Sequence, residues 1–454
     1  MEPESVFDKT TMSKVEKTTY NQVGNELIRD GKVAVVVLAG GQGSRLGFDG
    51  PKGKYDIGLP SGKSLFQILA ERFFKAQLIA HEMTASSVEL AEGQVVPVVP
   101  TQALTCKMFV MTSHQNHEET VQFFRDNSFF GGQESSFVFF PQSMLPALDT
   151  EGKIMLETYC SLKLAPNGNG ALFEAIRSNS AVQRAISAFQ YVQIIGVDNA
   201  LNKVLDPIQF GLAHERKLQT CAKACLKRNA DEKVGVIGKK NGRYNIVEYS
   251  EIPPEQASKL DASGKLKFGL GNILVFVCET QFLMQMSTGG GDATMSLYHR
   301  AFKKIQHCNP ETWEDVLPAS ENGWKFELFI QNFFPSIQQG KLAVLTVDRD
   351  SEFAPVKDKD GPTTTSYGYP AAPLPDTPAF ARQMMLKEAT GWLSLAEASG
   401  LKIAPATRGT IEVSPLLSYE GENLVWLKNM HKKRPLDGIR GYLDHEGDYI
   451  AFDH

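Results

Sequence analysis

The 454-residue chain is about three times the length of a typical ~150-residue domain, which predicts one large domain with appendages or two to three domains. Hydrophobic residues at 42% and charged residues at 22% are ordinary globular proportions and exclude a disordered, collagenous or coiled-coil protein. A net charge of −5 offers no electrostatic footprint for nucleic acid or an anionic membrane, so neither is expected as a partner.

The opening residues MEPESVFDKT lack the basic and then apolar pattern of a secretory signal. The longest apolar run, Val33 to Ala39, is far below the ~18 residues of a membrane span. Six scattered cysteines (Cys106, Cys160, Cys221, Cys225, Cys278 and Cys308) form no disulfide framework, so a soluble protein of the reducing cytoplasm is expected. Residues 1–30 read as a polar N-terminal arm with weak helical character. From Lys32 strands and helices alternate: the run VAVVVLA, a helix from Leu65 to Ala80, CKMFVMT, a helix after Asn116, FVFF, a helix from Ala171, and YVQIIGV. Continuous apolar strands between amphipathic helices predict a parallel sheet covered on both faces. Beyond Arg216 the strand-rich segments LQTCAKACL, KVGVIG and RYNIVEYSEI suggest antiparallel additions, with NILVFV and KLAVLTV rejoining the main sheet. The expected organisation is an α/β catalytic domain over 31–353, a Pro-, Gly- and Thr-rich loop or linker over 354–378, and a small C-terminal α+β domain over 379–454.

The richest segment is LAGGQGSRLGFDGPKGKYDIGL, Leu38 to Leu59, at the carboxyl end of the first strand of that alternation. Gly40, Gly41, Gly43 and Gly47 leave backbone N–H groups free to approach an anion, and Arg45, Lys52 and Lys54 add positive charge, a combination suited to polyphosphate. A dinucleotide fingerprint would need Gly where Leu46 stands, and Pro51 and Pro60 delay the next helix. GLPSGKS is one residue too short between its glycines for a Walker A loop and reads as a turn, with Ser64 and Gln67 forming a capping box. Asp198, at the end of an apolar strand in GVDNA, is placed to bind a hard cation such as Mg2+ together with substrate phosphates. His114 and His117 fall at a helix start, with Asn116 as cap and Glu119 at the capping-box position, rather than in a metal site. Cys221 and Cys225 read as small buried hydrophobes, and no GxSxG nucleophile motif occurs.

The glycine-rich segment resembles the signature LxxGxGTxLGxxxPK of eukaryotic UDP-N-acetylhexosamine pyrophosphorylases, through Leu38, Gly41, Gly43, Ser44 (in place of Thr), Leu46, Gly47, Pro51 and Lys52. The resemblance continues through FFPQSMLPAL, APNGNGALF, GVDNALNKVLDP, KVGVIG, VEYSEI, GNI, EFAPVKD and EVSPLLSY, in family order over residues 32–420. The N-terminal region is shorter here than in animal members, so no N-terminal domain is carried over. The resemblance implies a Rossmann-like, GT-A-like nucleotidyltransferase fold. It also implies the reaction of UTP with N-acetylglucosamine 1-phosphate to give UDP-N-acetylglucosamine and pyrophosphate, a step of amino-sugar metabolism.

It further implies Arg45, Lys52 and Lys357 as catalytic cations, and Leu38, Ala39, Gly40, Gly41, Lys52, Gln142, Gly168, Asp198 and Lys325 around the nucleotide. Asn169, Gly235, Glu248, Tyr249, Asn272 and Lys357 would contact the sugar phosphate. Asp198 would hold Mg2+, with Mn2+ as the alternative ion, in a monomer or weak homo-oligomer. Two competing readings share the nucleotide half of this site: a glucose-specific or broader UDP-sugar pyrophosphorylase, and a catalytically silent uridine-nucleotide binder. Retention of Arg45, Lys52, Asp198 and Lys357 argues against silence.

Overall fold

A computed structural model describes residues 5–83, 86–89, 95–290, 298–362, 372–403, 409–422, 424, 440–444 and 449–452. The expectations for residues 1–4, for 363–371 of the loop and for 404–408, 423, 425–439, 445–448 and 453–454 of the C-terminal unit lie outside the described residues.

Ten strands form the central sheet. In chain order the first five are β1 (Val6–Asp8), β2 (Val33–Leu38), β3 (Lys107–Thr112), β4 (Phe137–Pro141) and β5 (Tyr191–Gly196). The others are β6 (Thr220–Leu226), β7 (Val236–Lys240), β8 (Arg243–Val247), β9 (Leu270–Glu279) and β10 (Leu342–Thr346). Across the sheet the order is β1-β10-β6-β9-β5-β2-β3-β4, with β7 and β8 as a hairpin attached to β9. Every pairing along the main path is parallel except those made by β9, which runs antiparallel to both β5 and β6. The sheet is therefore mixed, as expected, with the one reversed strand of its main path at the centre.

Both faces are covered because β2 is apolar at every position. Val33, Val35 and Val37 join one core with helices α1 (Lys14–Arg29), α2 (Leu65–Ala80), α3 (His117–Asp126) and, further along the chain, α6 (Pro207–Glu215). Ala34, Val36 and Leu38 join the other with α4 (Leu172–Ser178), α5 (Ser180–Ile186) and α7 (Thr280–Ser287). The single helix expected from Ala171 is thus two, separated at Asn179, whose side chain caps the second by accepting from the Ala181 and Val182 amides.

The N-terminal arm is more ordered than its polarity suggests. Ser13 and Glu16 form a complete capping box on α1, and β1 adds a parallel edge strand beside β10. At the C-terminal side, α8 (Pro378–Ala398) starts at a Thr377 cap with Pro at its first turn. Its Ala381, Met384 and Met385 pack with Ile57, Leu59, Leu65, Ile68, Leu201 and Val356. Its later residues Ala389, Leu393 and Ala396 build a second core with Leu401, Ile411 and Val413. No helix of the described residues is long and apolar enough to cross a membrane.

Where the arm, sheet and C-terminal unit meet, a cluster of charges lies inside the protein. Lys223 on β6 sits 2.6 Å from Asp206 and 2.5 Å from Glu352. Lys9, from the arm, reaches Asp206 at 3.2 Å, Glu352 at 3.0 Å and Glu420 at 3.0 Å. Burial alone would raise the Asp206 carboxyl, but the two ammonium groups outweigh it and hold the group well below the usual carboxylate range. That stabilisation is present above the unfolded value, ~4 for Asp, and is lost as acid titrates the folded carboxylate. Lys223→Met, which leaves buried carboxylates short of a partner, is expected to cost about 3–5 kcal/mol. The check is the urea midpoint at neutral pH; a midpoint equal to wild type would mean that Lys9 alone satisfies both acids.

Candidate active site

The glycine-rich loop leaves β2 at Leu38 and is folded on itself by its own backbone. The Lys52 amide donates to the Gly41 carbonyl at 3.1 Å, and the Gly43 amide to Gly50 at 2.9 Å. Short 3-10 turns at Ser44–Leu46 and Lys52–Lys54 carry the cations. From below, the Asn116 amide nitrogen donates to the carbonyls of Ala39 (3.1 Å) and Gly41 (3.3 Å), while its oxygen accepts from the Ser113 amide. Asn116 precedes α3 as predicted, yet its side chain makes no capping bond to the helix. Nor does Glu119 close a capping box: it pairs with Lys54 at 2.5 Å. That pairing turns Lys54, expected among the phosphate-facing cations, toward α3. Ser64 caps α2 as expected, but Gln67 donates to Glu71 instead of completing the box. Lys63 of the GLPSGKS turn is buried against Glu71 at 2.6 Å.

Four expected residues converge. Burial holds the Lys52 ammonium below the ordinary lysine value; Arg45 and Lys357 push the same way, and Asp198 and Asp358 pull against them. Lys52 therefore lies within the fields of Arg45, Asp198 and Lys357, brought together from β2, β5 and the segment after β10. Arg45, largely exposed, lies 3.7 Å from Asp358. Lys357 lies 3.4 Å from Asp376, and the amides of Lys357 and Asp358 both donate to the Asp376 carbonyl, at 2.8 and 3.1 Å. Asp376 adopts φ +64°, a left-handed conformation that Asp tolerates better than most residues. Asp358 and Asp376 were not singled out from the sequence, because nothing local distinguishes an acid in a Pro-rich loop from a solvated one.

Gly40, in the same loop, lies against a buried polar side chain. Gln142, at the end of β4, is 4% exposed, and its side-chain oxygen has no hydrogen-bond partner. Its amide nitrogen packs so closely on Gly40 that a Cβ there would come within 2.3 Å of it. A buried acceptor without a donor is costly, and a ligand N–H would relieve it. Gly168 has φ +85°, and a Cβ there would meet the Leu328 carbonyl at 2.6 Å, so the chain needs glycine twice over. The neighbouring Asn169 spends its side-chain oxygen on the Ile330 amide at 2.8 Å. Leu38 and Ala39 are buried behind the loop, and Gly41 has open space where a side chain would be.

Gly235, Glu248 and Asn272 also meet. The Asn272 amide donates to the Gly235 carbonyl at 2.8 Å, and a Cβ on Gly235 would lie 3.4 Å from the Glu248 carboxylate. Burial raises the Glu248 carboxyl above the ordinary glutamate value; the 2.7 Å hydrogen bond from Gln331 and the positive field of Lys357 act in the other direction. A cavity of about 350 Å3 opens next to Glu248, lined in part by His299, Phe329 and Gln331. Tyr249 follows Glu248 and is exposed. Lys325 sits on a short strand, Gly323–Glu327, paired with His299–Lys303; among the described residues no ion pair links it to the Lys52 cluster. Gln331 and Asn116 make contacts at this site that the sequence does not reveal, since each reaches across the fold to a distant partner.

For metal binding, Asp198 is the expected ligand. Among the described residues no group of three or more His, Cys, Asp or Glu side chains could hold an ion. The donor set fits a cation such as Mg2+, which needs one or two carboxylates and takes its other ligands from phosphates and water.

The chain is similar to known proteins over most of its length. The family model described as UTP–glucose-1-phosphate uridylyltransferase matches residues 1–361. UDP-N-acetylglucosamine diphosphorylase 2 of Arabidopsis thaliana is 36% identical over 416 residues, covering 91% of this chain and 76% of the relative. UDP-N-acetylglucosamine pyrophosphorylase of Saccharomyces cerevisiae is 34% identical over 433 residues, covering 94% and 82%. The crystal structure of the Trypanosoma brucei uridine diphosphate N-acetylglucosamine pyrophosphorylase in complex with inhibitor superposes with a TM-score of 0.75 at 33% identity, covering 93% of this chain and 81% of that one. A Leishmania major UDP-glucose pyrophosphorylase shares the fold at a TM-score of 0.53 and 16% identity.

The contact between Gly40 and Gln142 yields a prediction. Gly40→Ala is expected to displace the Gln142 amide and weaken uridine-nucleotide binding about tenfold or more, the scale of one misplaced hydrogen-bonding group. Calorimetric titration with UTP measures it; wild-type affinity would remove Gln142 from the nucleotide site.

Proposed function

The chain belongs to the UTP–glucose-1-phosphate uridylyltransferase family, and from that membership we propose that it catalyses uridylyl transfer from UTP to N-acetylglucosamine 1-phosphate, forming UDP-N-acetylglucosamine and pyrophosphate. The grouping of Arg45, Asp198 and Lys357 about Lys52, with Arg45 3.7 Å from Asp358 and the Val356 amide on the Asp198 carbonyl, carries this reading. A phosphate oxygen of the sugar phosphate attacks the α-phosphorus of UTP, and the bond to the bridging oxygen breaks as pyrophosphate leaves. No protein nucleophile is required; the protein's work is to align two anions and balance charge. Lys357, between the cation cluster and Glu248, would bridge the sugar phosphate and the α-phosphate. Lys52 and Arg45 would hold the remaining UTP oxygens, with Arg45 released from Asp358.

Uracil would sit against Gln142, whose unpartnered oxygen could accept from the imide N–H. Gly168 supplies backbone there. Glu248, Asn272 and Gly235, together with Asn169 and Tyr249, are the proposed sugar contacts, supported by the meeting of the first three. Lys325 keeps a nucleotide role only as an extension of the family pattern. Asp198 would hold Mg2+, or Mn2+ in its place, which supplies charge neutralisation on the phosphates. A cytoplasmic place of action is supported by six cysteines that all stand as free thiols.

A coupled pyrophosphate-release assay with UTP and a panel of sugar 1-phosphates tests the reading. N-acetylglucosamine 1-phosphate should give the highest kcat/KM, with N-acetylgalactosamine 1-phosphate next. Glucose 1-phosphate, which lacks the N-acetyl group and leaves buried polar groups unpaired, should be poorer by up to ~10⁴-fold. Equal use of glucose 1-phosphate would transfer the assignment to a broad UDP-sugar pyrophosphorylase, and no turnover with any sugar would end it. Lys52→Ala should lower kcat by about 10²- to 10³-fold, as loss of a preorganised charge does, and near-normal turnover would clear Lys52 of that role. Asp198→Asn should move the Mg2+ activation curve to higher concentration, because an amide binds a hard cation less well than a carboxylate. An unmoved curve would leave Asp198 without the metal.

A further inference from the structure

Asn199 follows Asp198 and is 2% exposed. Its side-chain oxygen accepts from the amides of Ala354 at 2.9 Å and Leu201 at 3.2 Å. Its nitrogen donates to the Glu352 carbonyl at 2.8 Å and to the Asn202 side-chain oxygen at 3.0 Å. The bond from Leu201 is a local Asx turn that any loop could contain. The bonds to Glu352 and Ala354 are different, because they cross to the segment that ends at Lys357. The backbone beside them continues the connection: Asn199 bridges to Pro355, and the Val356 amide donates to the Asp198 carbonyl at 2.8 Å. Asn202 anchors the near side by donating to the Gly196 carbonyl at 2.7 Å.

We infer that Asn199 is a positioning residue that fixes the Lys357 ammonium relative to the Asp198 carboxylate. Its amide uses donor and acceptor together on the two flanks of residue 353. An aspartate could keep the bonds to the two amides but would turn a second acceptor toward the Glu352 carbonyl; a serine would present a single oxygen on a shorter side chain in place of two separated polar atoms. The stitch is rigid because its far end is clamped: Glu352 is the acid held by Lys223 and Lys9. What Lys357 does once placed rests on the proposed uridylyl transfer; the placement itself does not.

Two measurements test this on the full chain. The first is hydrogen exchange of Asn199→Ala and Asn199→Ser without substrates. The amides of Ala354 and Val356 should exchange about tenfold faster or more, as in a local opening, with the amides of β2 and β5 unchanged. Wild-type exchange at 354 and 356 overturns the inference whether or not the chain is active, and Asn199→Ser carries the test where the alanine variant fails to fold. The second is a double-mutant cycle. Asn199→Ser should lower kcat by about 10- to 100-fold, the scale of a misplaced catalytic group, with KM for UTP within about twofold. In a Lys357→Ala background the same change should cost less than about threefold, because the group it places is gone. Equal losses in both backgrounds would make Asn199 merely structural and overturn the inference. Absence of uridylyl transfer in the wild-type chain would instead remove the proposed function, with the exchange result still deciding the placement.

Discussion

Two lysines and two carboxylates packed beneath the surface determine how the rest of this molecule fits together. Lys9, Lys223, Asp206 and Glu352 come from the N-terminal arm, β6, the start of α6 and the short helix before Lys357. No member can be left unpaired, since an isolated buried charge costs several kcal/mol. The cluster is therefore satisfied only when all four segments are in place together. Hydrophobic burial on the two faces of the sheet provides most of the driving force, but it is tolerant of small shifts. The ionic cluster adds the intolerance. Because Glu352 lies five residues before Lys357, that intolerance reaches the reacting centre.

The site is assembled with little room for rearrangement. Asn116 holds two carbonyls of the glycine-rich loop, Gln142 lies against the bare Gly40, and Asp376 gathers two consecutive amides at Lys357. Each contact uses a polar side chain, a missing Cβ or, at Asp376, a backbone carbonyl to place the chain before any ligand arrives. Arg45 is the exception. Exposed and only loosely paired with Asp358, it can exchange a protein carboxylate for a phosphate at small cost.

What could be read without coordinates follows from the range of the forces. Val33 to Leu38 declares a doubly covered strand through its own side chains, and Leu65 to Ala80 carries its Ser64 cap beside it, so both elements stand in the sequence as they do in the fold. The glycines and cations after β2 likewise announce an anion site locally. The arm was underestimated although Ser13 and Glu16 spell out a capping box; the polar surface of α1 hid the few positions, Tyr20, Gly24, Leu27 and Ile28, that are buried. Long-range pairings left no such trace. Lys54 turns to Glu119, Gln331 to Glu248 and Asn199 to residues more than 150 positions away, and nothing in the neighbourhood of either partner marks them.

The grip of the C-terminal unit on the loop between Asp56 and Ser64 bears on how this protein could be cut or recombined. Arg382 donates to the Ile57 carbonyl at 2.7 Å, both oxygens of the buried Glu412 take up Ser61, and Met384 and Met385 share a core with Leu59 and Leu65. The proline-rich stretch before α8 looks like a natural scissor site. A chain severed there would expose an apolar strip on the very loop that leads from the glycines into α2, and would strand a buried acid on the excised piece. Fusions, domain swaps and circular permutations of this protein should therefore open the chain elsewhere and carry the C-terminal unit along with the loop it braces.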